Sequence, residues 1–86
     1  MAEKITYYAI LVDEYTIDRP AGLLRRREAE DGAFVDEGLQ KDMAWHRTGS
    51  VVEWEFGNYS NELEEVSEED ARRIIEDLRV RWSALS

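Results

Sequence analysis

The sequence predicts an α+β fold: an antiparallel β-meander of about four strands with one C-terminal α-helix packed on one face. Three observations carry this expectation. Apolar residues upstream of Ser67 alternate with a period of two, the period changes to 3.6 after it, and Pro20, Asp31-Gly32 and Gly57-Asn58 mark turns between the periodic segments. At 86 residues the chain is expected to be one domain, 1–86, with a thin folding margin.

The first strand is placed at about 5–17. Its start, Ile5 to Val12, is rich in β-branched and aromatic residues and apolar on both faces, so it is expected at the centre of the sheet. Burial on both faces requires two covers. The helix is one; a loop or a second copy of the chain is expected to supply the other, and a homodimer is predicted on that ground. Strands at about 23–30 and 33–39 flank Asp31-Gly32, a dipeptide suited to a two-residue type I′ hairpin. Counting outward from that turn pairs Arg27 with Asp36, Arg26 with Glu37 and Arg25 with Gly38. A fourth strand is placed at 50–56, where Val52, Trp54 and Phe56 alternate with Val51, Glu53 and Glu55. Leu63 to Val66 reads as a short extended segment before the helix.

The helix is predicted over about 68–83. Ser67 is a good N-cap, Val66 before it can staple onto Ala71, and Ala71, Ile74, Ile75, Leu78, Trp82 and Leu85 form one apolar stripe. The arginines near its end complement the helix dipole without any ligand.

Net charge is −9, so attraction to nucleic acid or to an anionic membrane is not expected, and a basic protein partner is favoured. Residues 1–50 hold seven basic and ten acidic residues and residues 51–86 four and ten, so the second part carries most of the field. Six of its carboxylates lie between Glu62 and Asp70, where a helix N-terminus favours them. The absence of cysteine excludes disulfides and thiolate metal sites and fits a cytoplasmic protein. The N-terminal apolar stretch is flanked by Glu3 and Asp13 and does not read as a signal peptide, and no run approaches membrane-spanning length.

Candidate binding residues are Arg25, Trp45, His46 and Arg47. In the Arg25-Arg26-Arg27 run, the predicted register gives Arg26 and Arg27 acidic partners and leaves Arg25 free to take an anion or a partner's carboxylate. Trp45-His46-Arg47 lies on a polar segment with the only histidine, and tryptophan and arginine are types enriched at interface hot spots. No nucleophile elbow, second histidine at ligand spacing, EF-hand loop or phosphate-cradling glycine loop is present, so no catalytic residue, metal or cofactor is expected. The function expected is a non-catalytic protein–protein interaction module; the alternatives are a small-ligand binding domain around Arg25, Trp45 and His46, and an enzyme using His46.

The order YYAILV, RPAGLLRR, DGAFVDEGL, AWHRTGSVVEWEFGN and VSEEDA, which spans most of the chain, resembles that of small uncharacterised proteins of high-GC actinobacteria. The resemblance implies a bacterial cytoplasmic protein and no catalytic activity. Nine arginines against two lysines is the bias a GC-rich genome produces.

Overall fold

A computed structural model describes residues 3–12, 15–17, 19–57 and 62–84. Five antiparallel strands form one sheet in the order β4-β3-β2-β1-β5: β1 (Lys4–Leu11), β2 (Gly22–Glu28), β3 (Phe34–Leu39), β4 (Trp45–Arg47) and β5 (Glu62–Val66). A two-turn helix, α1 (Ser50–Glu55), lies between β4 and β5 in sequence, and α2 (Glu68–Ser83) follows β5. The fold is therefore α+β, with one more strand and one more helix than the sequence predicts.

β1 is an interior strand, next to the edge rather than at the middle, pairing with β2 from Lys4↔Glu28 to Ile10↔Gly22 and with β5 from Tyr7↔Val66 to Leu11↔Glu62. Alternation sends Tyr7, Ala9 and Leu11 to one face, and Tyr8 and Ile10 to the other. On the first face Ala9, Leu23 and Leu39 pack with Ala71, Ile74 and Leu78 of α2. On the second, Leu24 and Leu63 pack with Val51 of α1, with Tyr8 and Ile10 against them. The second cover is thus α1, supplied by the chain itself. Gly38 serves that side, since a Cβ there would stand 3.0 Å from Leu24 Cδ2.

β1 stops at Leu11 and does not run to 17. The Tyr15 amide turns back to donate to the Val12 carbonyl at 2.8 Å, and the partner strand β2 begins only at Gly22. Asp13 and Glu14 of the predicted strand lie outside the described residues.

The first hairpin differs from its predicted register by one residue. A type I′ turn needs positive φ at both central residues, but of Asp31 and Gly32 only the glycine has it, at 91°. The loop is instead Glu30-Asp31-Gly32: Ala29 donates to the Ala33 carbonyl at 2.8 Å, and the Asp31 carboxylate accepts from the Ala33 amide at 3.0 Å. Arg25 consequently faces Glu37, Arg26 faces Asp36, and Arg27 faces Val35.

Trp45-His46-Arg47, expected only to lie on a polar segment, is the edge strand β4, paired to β3 through Glu37↔Arg47, Gly38↔His46 and Leu39↔Trp45. The connection repeats the first hairpin's geometry: Gln40 donates to the Ala44 carbonyl at 3.0 Å, Asp42 accepts from the Ala44 amide at 2.9 Å, and Met43 takes the left-handed position with φ 62°.

The predicted strand at 50–56 is a helix. Thr48 Oγ1 accepts from the Ser50 amide at 3.2 Å at its start, and Gly57, with φ 78°, ends it by donating to the Trp54 carbonyl at 3.0 Å. Helical geometry turns Val51 alone into full burial and leaves Trp54 and Phe56 outside.

α2 occupies the predicted span. Ser67 Oγ accepts from the Asp70 amide at 3.1 Å, and Val66 packs against the cluster to which Ala71 belongs. Its outer face is laced by Glu68–Arg72, Glu76–Arg79 and Asp77–Arg81 pairs, while Leu85 lies outside the described residues.

Candidate binding surfaces

Asp36 and Glu37 are neighbours on β3, so their side chains leave opposite faces of the sheet, and each meets arginines of β2. On the α1 side Asp36 accepts two hydrogen bonds from Arg26, at 2.7 and 3.0 Å, and Arg26 makes two more to Glu55 of α1 at 3.1 Å. The Asp36 side chain is 3% exposed and that of Arg26 12%. The bidentate bond to Asp36 raises the Arg26 pKa, burial opposes it, and Glu55 adds to the rise, so the guanidinium is fixed as a cation. The same guanidinium lies 4.1 Å over the Phe34 ring.

On the α2 side Glu37 sits between Arg25 (2.7 Å) and Arg27 (2.9 and 3.2 Å). Burial pushes its carboxyl pKa up, but the hydrogen bonds from Arg27 and Arg25 outweigh that and hold it below the ordinary value. Arg27 reaches on to Glu3 at 3.3 Å. Arg25 lies 4.1 Å over the Trp45 ring, which is itself 6.3 Å from Tyr7.

The four sequence candidates are therefore divided. Arg25, Trp45 and Arg47 share the α2 side, but Arg25, read as the freest of its run, is held by both Glu37 and Trp45. Trp45 is half-buried at the edge of the α2 cluster. Arg47, exposed and opposite Glu37, has no ion pair among the described residues. His46 points to the other face, because adjacent residues of a strand alternate. Its Nε2 lies 2.9 Å from Asp42 Oδ2, and both side chains are exposed. The Asp42 carboxyl is held below its ordinary pKa first by the Ala44 amide and then by His46. A histidine oriented by a carboxylate still needs a group to act on, and no hydroxyl bonds to His46 among the described residues.

A second surface escaped the sequence reading. On the α1 side Phe34 (47% exposed), Trp54 (37%) and Phe56 (76%) are large apolar side chains left open to solvent. Trp54 lies 6.0 Å from Tyr8, and burial raises the Tyr8 pKa, with Arg26 opposing and Glu65 and Glu55 adding to the rise. Arg26 links Phe34, on which it stacks, to α1 through Glu55. The signal was present as Ser50-x-x-Glu53 followed by Gly57, a helix start and stop that competes with the alternating pattern.

Clefts of about 360, 260 and 230 Å³ lie at the α2 end, lined by Tyr15, Thr16, Arg19, Ala21, Lys41, Met43 and the last two turns of α2. None of the three includes Arg25, Trp45, His46 or Arg47. In the first, Arg19 and Arg81 both pair with Asp77, at 3.5 and 2.8 Å. Among the described residues no group of three or more acids or histidines could hold a metal ion, and no helix is long and apolar enough to cross a membrane. No protein-family model, curated protein or solved structure matches the chain.

Proposed function

We propose that the chain is a non-catalytic protein-binding module of the cytoplasm. The observation that carries this is that three large aromatic side chains on β3 and at α1, Phe34, Trp54 and Phe56, stand open to solvent, with the pinned Arg26 stacked on the first. Aromatic and arginine side chains contribute most to interface energy when a partner desolvates them, and Arg26 is held in place before any partner arrives. The half-buried arginines of β2 are paired with Asp36 and Glu37 of β3 and do not converge on a cleft, which favours binding over catalysis.

The small-ligand alternative needed Arg25, Trp45 and His46 around one pocket. Strand alternation places Trp45 and His46 on opposite faces, which argues against it. The His46 enzyme reading is weakened because no hydroxyl bonds to His46 among the described residues.

The test is affinity capture of the tagged chain from its host's lysate at low and high salt, followed by rebinding of the purified, identified partner. A stoichiometric protein partner that rebinds and weakens with salt supports the module; no protein partner at either salt refutes it.

A further inference from the structure

Resting on that reading, we infer that the α1-side aromatic surface docks a cationic segment of a partner protein, its lysines or arginines interleaved with apolar residues. Glu65, opposite Tyr8 on β5, and Glu28, opposite Phe34 on β2, leave the sheet on the same side as these rings, and Glu53 precedes Trp54 on α1. None of these three carboxylates has an ion pair among the described residues, whereas Asp36 and Glu55 on the same side are spent on Arg26. The surface thus combines exposed π-faces with unneutralised acid. Trp54 and Phe56 accept a cation over their rings, and the carboxylates take its remaining N–H donors.

Charge decides among occupants. A second copy of this chain, at −9, would set Glu28, Glu53 and Glu65 against the same carboxylates across a two-fold axis, and a nucleic acid would bring phosphates to them. A basic protein segment is the occupant that both the rings and the carboxylates favour. The patch also lies away from the α2 cluster, so occupying it leaves the larger core undisturbed.

The experiment titrates the isotope-labelled chain with a short amphipathic peptide of lysine, arginine and leucine, and with its counterpart in which glutamate replaces every cation. The three tryptophans give three indole N–H signals that distinguish the surfaces. The expected result is a saturable shift of the Trp54 indole and Phe56 amide with the basic peptide alone. Phe56→Ala and the double change Glu53→Gln, Glu65→Gln should each weaken it roughly ten-fold, about 1.4 kcal/mol. Phe56 is 76% exposed, so its loss leaves the fold intact, as the amide spectrum will verify. Shifts centred on Trp45 and Arg47, equal binding of the acidic peptide, or no saturable shift would overturn the assignment. A captured partner that binds Phe56→Ala undiminished also refutes this surface, yet leaves the binding-module reading standing.

Discussion

On the α2 side of the sheet, three strands and a 16-residue helix enclose six buried aliphatic residues, whereas on the α1 side a helix of six residues encloses only Leu24, Val51 and Leu63. Each side also receives one carboxylate from β3 and neutralises it with arginine from β2. The difference is in what lies beyond. α2 runs the length of its cluster and covers it, with Ile5 and Val80 left exposed beside it; α1 is too short, and the aromatic Trp54, Phe56 and Phe34 remain at the surface. Stability is therefore expected to reside mainly on the α2 side and recognition on the α1 side.

Deleting core volume tests that division most strongly. Leu78→Ala removes a side chain with 0% exposure from the α2 cluster and should cost about 2–5 kcal/mol, a large part of the stability of so small a chain. Val51→Ala, equally buried under α1, should cost roughly 1–2 kcal/mol, from two lost methyl groups at about 0.8 kcal/mol each plus an incompletely filled cavity. Urea unfolding measures both. An equal loss would mean the two faces share the core evenly.

The ion pairs sharpen the comparison. Asp36→Asn takes the charge from the most buried partner and leaves Arg26 only Glu55, at an expected cost of about 1–3 kcal/mol. Glu37→Gln should cost less, because Arg25 and Arg27 are more exposed and water can replace their lost bonds. Its signature is in pH. Glu37 has a folded pKa below the ordinary 4.5, so its contribution is present above that value and disappears as pH falls through the folded one. The difference in stability between wild type and Glu37→Gln should accordingly be constant near neutrality and shrink below about pH 4.5 in acid titrations of the melting temperature. A difference that grows on acidification contradicts the pairing.

The same contrast governs what could be read from the sequence. α2 was legible because cap, staple and stripe agree: Ser67, Val66 with Ala71, and Ile74 with Leu78 all point to one helix on one face. Residues 50–56 were not, because Val52, Trp54 and Phe56 alternate like a strand while Ser50, Glu53 and Gly57 punctuate like a helix, and the outcome depends on Val51 finding Leu24 and Leu63. The hairpin's existence was legible from Asp31-Gly32, but its register was not. Placing Glu30 inside or outside the loop shifts every pair by one, which moved Arg25 from open to occupied. Trp45 and Arg47 were picked out by residue type, and only their strand conformation reveals that His46 faces away from them.

The smallest expected effect tests how firmly the α2 side holds its own loop. Gly32 and Met43 occupy equivalent positions in the two hairpin connections, but a side chain in the left-handed region costs roughly 1 kcal/mol that glycine does not incur. Met43 is kept there while its side chain packs, half-buried, against the α2 cluster, and half of a methionine's burial is worth about 1 kcal/mol. Met43→Gly removes strain and packing together and should change stability by less than about 0.5 kcal/mol. Met43→Ala keeps the strain and loses the packing, and should destabilise by about 1 kcal/mol. Gly32→Ala introduces the same strain where no side chain within 4 Å can offset it, and should cost a similar amount. If Met43→Gly stabilises the chain as much as Gly32→Ala destabilises it, Met43 gains nothing from the α2 cluster, and that cluster ends before the hairpin.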